Sequence, residues 1–296
     1  MNIIIFTGGL GNQMSQYAFA VAKSKHARTI VSTYFLQRHY EHQGYELKRL
    51  FDISIRTNPL IDFSVRIIRK LIYLRDHHLV GNVACLLLRL LKILNCNVWM
   101  DDGGTKFDYE FLKNKSGLNF YLGGWLSEKY YYDIQPQSLF KFRFEDLNIK
   151  SKEILNSITT LNSVSIHIRR GDYQIDYNKD TFGSVCNFDY YSNAIEYINK
   201  HTIAPVFFCF SDEIEYAKHF LNINQNVFYI DWNKNEDSWQ DMCLISKCKH
   251  NINANSTFSW WGAYLNSNPQ KIVIVPSHYT SNKDIPVIYP ETWIKI

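Results

Sequence analysis

The chain has 296 residues, of which 46% are hydrophobic and 20% charged, and its formal net charge is +4. This length supports a large core, most simply divided between two domains. The mild positive charge suits an anionic small ligand or a membrane surface. It argues against nucleic acid, whose partners usually carry a strong basic stripe. Aromatic residues make up 16% of the chain and weakly favour a carbohydrate ligand.

The chain begins with a predicted strand from Asn2 to Phe6 and a glycine-rich loop from Thr7 to Gln13, followed by a helix from Met14 to Lys25. A strand at this position, without a basic segment and a longer apolar one, argues against a signal peptide. The six cysteines show no spacing typical of a zinc site. We therefore expect free thiols and a cytoplasmic location.

The glycine-rich loop is a candidate ligand site. Its glycines at positions 8, 9 and 11 permit close backbone approach, and the amides of Asn12 and Gln13 stand where a helix begins. Helix N-termini attract anions because their first backbone N–H groups are unpaired. Gly11, Asn12 and Gln13 are therefore predicted to contact a ligand, and the alternative is a purely structural turn.

The segment from about residue 62 to residue 95 is predicted to be helical and unusually apolar, with basic residues spaced through it. Its longest uncharged run, His77 to Leu88, has 12 residues, whereas a membrane span needs about 20. The pattern favours a helical hairpin packed on the first domain. The alternative is an interfacial segment on an anionic membrane, which implies peripheral membrane association.

After residue 150, strands and helices alternate regularly. The predicted strands cover residues 163–168, 205–210, 227–230, 251–254 and 271–275, and the predicted helices cover residues 188–200, 213–221, 237–248 and 258–266. Such alternation implies a parallel, doubly wound α/β sheet. In sheets of this kind the ligand binds beyond the carboxyl ends of the strands.

Polar clusters fall at those carboxyl ends. Arg169 and Arg170 follow one buried strand, Asp212 follows the next, and Asn255 opens a third cluster. Ser256 and Thr257 precede the predicted helix, and Phe258 and Ser259 are its first residues. Guanidinium forks and unpaired helix N–H groups both favour phosphate oxygens. We expect these groups to converge on a nucleotide or a nucleotide-linked substrate, and the alternatives are a solvated rim and an ordinary helix cap.

Five segments together resemble the glycosyltransferase family 11 fucosyltransferases, the bacterial α-1,2-fucosyltransferase group. They occur in the order typical of that family and extend from the first strand into the last quarter of the chain. The segments are Gly8 to Gln13 with Gln16-Tyr-Ala18, Gly124 to Tyr130, His167 to Tyr173, Phe210 to Glu213, and Asn251 to Leu265. Departures from the family pattern are Ser15 in place of an aromatic residue, Leu126 in place of a polar one, and Glu213 in place of a second aspartate.

The resemblance implies a GT-B architecture, with two Rossmann-like domains facing a central cleft. Residues 1–150 would form the acceptor-side domain, with the helical insertion at about 62–95, and residues 151–296 would bind GDP-β-L-fucose. The donor sugar would pass to a β-galactoside with inversion at the anomeric centre. Arg169 would contact the donor phosphates, and His167 and the Asp212 region would lie near the nucleotide. Asn12 and Gln13 would close over the donor from the other domain.

Catalysis is expected without a metal ion. Many sugar transferases hold a divalent cation with an Asp-x-Asp motif, and no such motif occurs in the chain. Arg169, Arg170 and the helix start after Thr257 are the predicted substitutes. The general base that accepts the acceptor proton is predicted to be Asp172, Asp176 or Glu128, and Asp172 could instead orient an arginine.

Two other functions fit parts of the pattern. A transferase that uses a different nucleotide sugar would keep the same phosphate groups and differ only in its sugar pocket. A non-catalytic sugar-binding module would keep the aromatic residues, but it would need neither the arginine pair nor a second Rossmann-like half.

Overall fold

The computed structural model describes residues 1–36, 42–56, 58–76, 80–101, 107–113, 115–175, 178–221, 227–281 and 288–296. The chain divides into two compact units, Met1–Phe140 and Lys141–Ile296. Among the described residues, no helix combines the length and the apolar composition needed to cross a bilayer.

Unit 1 is built around a four-stranded parallel sheet with the order β2-β1-β4-β3. Its elements are β1 (Asn2–Ile5), α1 (Leu10–Ser24), β2 (Thr29–Ser32), α2 (Leu47–Phe51), α3 (Pro59–Arg75), α4 (Gly81–Ile93), β3 (Cys96–Met100), β4 (Leu118–Leu122) and α5 (Pro136–Leu139). Every residue of β1 is buried, as expected of a central parallel strand. Side chains of α3 at positions 61, 65 and 68 pack on one face of this sheet.

Unit 2 contains a six-stranded parallel sheet with the order β10-β9-β8-β5-β6-β7. Its elements are α6 (Ile149–Thr160), β5 (Ser163–Ile168), α7 (Phe188–His201), β6 (Val206–Ser211), α8 (Ile214–Leu221), β7 (Val227–Ile230), α9 (Trp239–Ile245), β8 (His250–Ile252), α10 (Thr257–Leu265), β9 (Val273–Val275) and β10 (Ile294–Lys295). This is the strand order of a Rossmann-type sheet, in which the chain reverses its direction of growth between β5 and β8.

The core of unit 2 lies on both faces of its sheet, around β5 and β6. Val164, Ile166 and Ile168 pack with α7, whereas Phe208 and Phe210 of the neighbouring strand β6 pack on the other face, towards α6 and α9. All six residues of β5 are buried. The predicted α/β class with a parallel sheet is therefore confirmed, and the central strand is the one that leads into the arginine pair.

The unit boundary falls after Phe140, not after residue 150 as predicted. The cause is that the segment before α6 packs within unit 2. The Asn148 backbone N–H donates to Gln240 at 2.9 Å, and the Asn148 side chain donates to Asn233 at 2.8 Å. Phe142 also stacks on Trp239, with ring centroids 5.8 Å apart.

Several predicted boundaries also moved. Helix α1 begins at Leu10, so Asn12 and Gln13 lie within its first turn instead of preceding it. The segment predicted at about 62–95 corresponds to the two helices α3 and α4. Helix α3 begins earlier than predicted, at Pro59, and the Asn58 side chain caps it by accepting two backbone hydrogen bonds. Strands β3, β4 and β10 were not predicted.

Candidate functional site

The carboxyl ends of β5 and β8 define a crevice at the switch point of the unit 2 sheet. β5 ends at Ile168 and leads directly into Arg169, and β8 ends at Ile252, five residues before α10 begins. The connections that follow these two adjacent strands run to opposite sides of the sheet, which leaves a crevice between them for a ligand. The polar cluster at Arg169 and the one that opens at Asn255 therefore lie at the same edge of the unit 2 sheet, as predicted.

Arg169 is held between two carboxylates. Its Nη1 lies 2.7 Å from Asp212 Oδ2, and its Nη2 lies 2.6 Å from Asp172 Oδ1. The hydrogen bond to Asp212 and the ion pair with Asp172 act on different nitrogens and together orient the guanidinium group. The Arg169 side chain is 27% exposed, so the group is fixed in direction while part of it still reaches solvent.

Arg170 is bound differently from Arg169. Its Nε lies 2.9 Å from Glu213 Oε2, and its guanidinium carbon lies 3.7 Å from the centre of the Tyr216 ring. Stacking on an aromatic ring and a carboxylate contact together hold the side chain against α8. Arg170 was predicted to bind the nucleotide, whereas its contacts here join β5 to α8.

Asp212 connects the arginine side chain to the backbone. Besides Arg169, it accepts a hydrogen bond of 3.0 Å from the Arg170 backbone N–H. Gly171 makes this approach possible, since a Cβ on it would lie 2.7 Å from Asp212 Oδ2. Burial raises the pKa of Asp212 above its ordinary value, and the nearby Arg169 charge partly offsets this effect.

His167 is a neutral side chain at the crevice. Burial and the nearby Arg169 charge lower its pKa to about 3. Its ring stacks on Phe258 at the start of α10, with centroids 5.6 Å apart. In the described part of the chain, its Nδ1 is buried without a hydrogen-bond partner. His167 therefore cannot serve as a cation near neutral pH, but it can exchange a hydrogen bond with a ligand.

Asn253 lies within the family segment Asn251 to Leu265 but was not predicted as a site residue. It is 1% exposed, and both polar atoms of its side chain lack a hydrogen-bond partner among the described residues. His167 and Asn253 each follow the paired positions Ile166 and Ile252, so they lie side by side on one face of the sheet. Unpaired buried amides are costly, which makes this pair a candidate ligand contact.

Asn255 was predicted to contact a ligand, but the structure gives its amide other partners. Its Nδ2 donates to the carbonyl groups of Phe182 and Tyr279 at 3.1 and 3.0 Å, and its Oδ1 accepts from Cys186 Sγ at 3.4 Å. The Tyr173 hydroxyl donates to the Asn255 carbonyl at 3.0 Å. This side chain therefore ties the loops around the crevice together.

The start of α10 supplies backbone N–H groups to the same crevice. Ser256 is the N-cap, and its hydroxyl accepts from the Phe258 N–H at 3.3 Å. The Ser259 hydroxyl is fully buried and lies 3.4 Å from two backbone carbonyls, those of Ala254 and Ser256. The first N–H groups of α10, beginning at Thr257, carry the positive end of the helix dipole.

The glycine-rich loop of unit 1 is braced by two glutamines. Gln13 is fully buried; its Nε2 donates to the carbonyls of Gly8 and Gly44 at 3.0 and 2.8 Å, and its Oε1 accepts from the Glu46 N–H at 3.0 Å. Gln16 donates to the Gly123 carbonyl at 3.0 Å and thereby links the ends of β1 and β4. Gln13 was predicted to contact the donor, but its polar atoms are used within unit 1.

The remaining predicted residues are Gly11, Asn12, Glu128 and Asp176. Asn12 is half-buried in the first turn of α1, next to the buried Gly11. Glu128 opens a single helical turn in the loop after β4. Asp176 lies outside the described residues. Within the described ranges, no three His, Cys, Asp or Glu side chains are grouped so as to hold a metal ion.

Glu46 was not predicted either, and no sequence pattern indicated it. It is 4% exposed, its carboxylate accepts a hydrogen bond from the Leu10 N–H at the start of α1, and Arg49 Nη2 lies 3.5 Å away. Burial raises its pKa to about 7, although Arg49 and the Leu10 N–H both act in the opposite direction. A titratable carboxyl group therefore lies at the carboxyl edge of the unit 1 sheet.

Together, these observations define an α/β protein with a Rossmann-type sheet and a crevice adapted to an anionic ligand. The chain belongs to the family described as glycosyl transferase family 11, whose model matches residues 1–296. This confirms the resemblance and makes the protein a glycosyltransferase, so the non-catalytic binding module no longer applies.

Two bacterial relatives match along the whole chain. The α-1,2-colitosyltransferase of Escherichia coli is 29% identical over 100% of this chain and 99% of its own length. The O-antigen biosynthesis glycosyltransferase WbnK of Escherichia coli is 32% identical over 98% of each chain. The galactoside alpha-(1,2)-fucosyltransferase 1 of Saimiri boliviensis boliviensis is 30% identical over 34% of this chain and 28% of its own length.

Solved structures share the fold. The fucosyltransferase NodZ from Bradyrhizobium superposes with a TM-score of 0.51 at 14% identity, over 94% of this chain and 96% of that chain. At this identity the likeness concerns the fold alone. It supports the α/β class with parallel sheets that the strand pairing shows directly.

The buried Glu46 predicts a pH-dependent stability. Because its pKa is raised from 4.5 to about 7, the folded state binds the proton more tightly than the unfolded state. The free energy of unfolding should therefore fall as the pH rises from about 4.5 to 7, by up to roughly 3 kcal/mol, and then level off. Glu46→Gln should lack this pH-dependent part of the free energy of unfolding. The Tm of the variant minus the Tm of the parent should therefore increase from pH 5 to pH 7.5.

Glu153→Gln, at an exposed position on α6, is the matched control and should show no such trend. Thermal unfolding of the three proteins across this pH range provides the measurement. A Tm difference between Glu46→Gln and the parent that stays constant with pH would contradict the assignment.

Proposed function

We propose that the protein transfers L-fucose from GDP-β-L-fucose to the 2-hydroxyl of a β-galactoside in a glycan, forming an α-1,2 linkage with inversion. Membership of glycosyl transferase family 11 supports the reaction class. The names of its relatives supply the linkage, a fucosyl donor and a galactoside acceptor. The observation that carries the proposal is the Arg169 guanidinium, fixed at the switch point of a Rossmann-type sheet.

The donor diphosphate would lie between Arg169 and the start of α10. Asp212 accepts a hydrogen bond from Arg169 Nη1 and Asp172 forms an ion pair with Nη2, and a guanidinium group has five N–H donors in all. The others can bind phosphate oxygens without any change of direction in the fork. The first N–H groups of α10 add donors and a positive dipole end.

These groups would act mainly on the leaving group. In a single displacement, the acceptor oxygen attacks the sugar carbon while the bond to the diphosphate breaks, and negative charge grows on the diphosphate. A fixed guanidinium group and oriented N–H groups stabilise this charge without having to reorganise during the reaction. His167 stays neutral, so its role would be a hydrogen bond together with Asn253.

The acceptor proton would pass to a carboxylate during the displacement. Asp172 lies 2.6 Å from Arg169, which favours its orienting role over that of a base. Glu128 lies in the loop that follows the carboxyl end of β4, and carboxyl ends of parallel strands are where α/β sheets bind ligands. We therefore assign the base to Glu128, with Asp176 as the alternative, and a pH-rate profile of Glu128→Gln and of Asp176→Asn distinguishes them.

A second candidate donor is GDP-colitose. The observation that favours it is the match to an α-1,2-colitosyltransferase along the whole chain. Colitose lacks the 3-hydroxyl of fucose, so the same phosphate groups would serve either donor. Discrimination would rest on whether the sugar pocket holds a hydrogen-bond partner for that hydroxyl.

The proposal is tested by supplying GDP-fucose, GDP-colitose, GDP-mannose and UDP-galactose with lactose and a panel of β-galactosides. Nucleotide release and NMR linkage analysis of the product are the readouts. We expect GDP-fucose to give an α-1,2-linked product. Faster transfer from GDP-colitose would establish the second candidate, and turnover of UDP-galactose alone would refute both.

Arg169→Ala should reduce kcat/KM by about 30-fold to 1000-fold, equivalent to roughly 2 to 4 kcal/mol of lost transition-state stabilisation. Arg169→Lys should also be impaired, because an ammonium group cannot reproduce the fork that binds Asp172, Asp212 and phosphate. Arg143→Ala is the matched control, since Arg143 Nε pairs with Asp146 at 2.7 Å in the same unit. Near-normal kinetics of Arg169→Ala would remove this residue from the mechanism.

Turnover should not require a divalent cation, because Arg169 and the start of α10 already oppose the growing phosphate charge. We expect the kcat of EDTA-treated enzyme to equal that of untreated enzyme. Dialysed protein assayed with EDTA, magnesium or manganese provides the comparison. Activity that returns only on addition of a metal ion would contradict the expectation.

A further inference from the structure

Helix α4 exposes a continuous apolar stripe. Six large side chains along it are each between 42% and 79% exposed, namely Val83, Leu86, Leu87, Leu90, Ile93 and Leu94. Their spacing of three and four residues aligns them along one side of the helix. The buried residues Gly81 and Ala84 lie on the opposite side. The helix is thus apolar both where it packs and where it meets solvent.

Helix α3, which packs against α4, also exposes large apolar side chains. Leu60, Phe63 and Ile67 are 78%, 61% and 42% exposed, and they again follow each other at intervals of three and four residues. The opposite side of the same helix packs into the core of unit 1. The exposed residues are not part of that core. We name the nine exposed residues of the two helices the apolar hairpin face: 60, 63, 67, 83, 86, 87, 90, 93 and 94.

The charges around the apolar hairpin face are predominantly positive. Residues 59–94 contain six basic side chains, Arg66, Arg69, Lys70, Arg75, Arg89 and Lys92, and two acidic ones. Asp62 accepts a hydrogen bond from Ser32 at 2.8 Å, and Asp76 pairs with Arg75 at 3.0 Å. The other five basic side chains are all exposed. The hairpin therefore combines exposed apolar groups with a net positive charge.

We propose that the apolar hairpin face binds the surface of an anionic lipid bilayer. Contiguous exposed apolar surface of this kind marks an interaction site. Laid in the plane of the membrane, the stripe from Val83 to Leu94 is about 17 Å long. Its leucines would enter the acyl boundary, while Arg89 and Lys92 would reach lipid phosphates from their long stems.

Charge complementarity selects this occupant over a second copy of the chain. Two copies facing each other would bring two sets of basic residues together, whereas an anionic bilayer offers opposite charge to all of them at once. The apolar hairpin face consists only of residues of α3 and α4 and of Leu94, which caps α4. Membrane binding is therefore independent of the donor and acceptor proposed for the enzyme, and a failure of one leaves the other intact.

Vesicle flotation with the full chain tests the proposal. We expect binding to vesicles of phosphatidylcholine mixed with phosphatidylglycerol to exceed binding to pure phosphatidylcholine vesicles by at least about tenfold, and to weaken at high salt. The double variant Leu87→Glu/Leu90→Glu should lose flotation. Its matched control, Ile149→Glu/Ile203→Glu, alters residues of unit 2 that are 75% and 90% exposed, and it should float like the parent.

A second variant, Arg89→Glu/Lys92→Glu, leaves the apolar stripe intact and should still lose binding to anionic vesicles. Thermal unfolding establishes that each variant is folded, and sedimentation velocity measures self-association. No flotation of the parent, or equal flotation of the parent and Leu87→Glu/Leu90→Glu, would overturn the proposal. So would a dimer of the parent that Leu87→Glu/Leu90→Glu dissociates in the absence of vesicles.

Discussion

The contact between Asp212 and the start of the arginine pair is the interaction on which the site depends. One carboxylate binds the Arg169 side chain and the Arg170 backbone N–H, at 2.7 and 3.0 Å. It comes from the end of β6 and therefore fixes the end of β5 against its neighbour strand. Such close approach requires glycine at position 171. The direction of the phosphate-binding fork is thus set by sheet geometry, not by a flexible loop.

Parallel pairing explains why residues far apart in sequence meet at this edge. All five strand pairs of the unit 2 sheet are parallel, so every carboxyl end lies on the same side. Arg169 and Asp212 are brought together by that rule, and their convergence could be predicted from strand ends alone. The same rule could not predict the partners of Gln13 and Asn255, which lie in loops and include the carbonyls of Gly44 and Tyr279.

Strands β3 and β4 were not predicted because their pairing, too, depends on residues far apart in the sequence. β3 and β4 each contain an asparagine in an otherwise apolar run, which obscures the strand pattern. In the sheet, Asn97 and Asn119 are direct register partners, and Asn97 Nδ2 donates to Asn119 Oδ1 at 3.1 Å. The polar groups satisfy each other across strands, and a single segment cannot reveal that. β5 and α7 were predictable because their burial patterns are local.

The glycine-rich loop of unit 1 and the crevice of unit 2 differ in whether their buried polar side chains have partners. In unit 1, Gln13 and Gln16 use their polar atoms to brace the glycine-rich loop. In unit 2, His167 Nδ1 and the Asn253 amide lie buried at the switch point without partners among the described residues. Burial of an unpaired polar group costs free energy, and a ligand that pairs these groups would recover it. The unit 2 crevice therefore presents buried polar groups that a ligand can pair, whereas the glutamines of the glycine-rich loop present none.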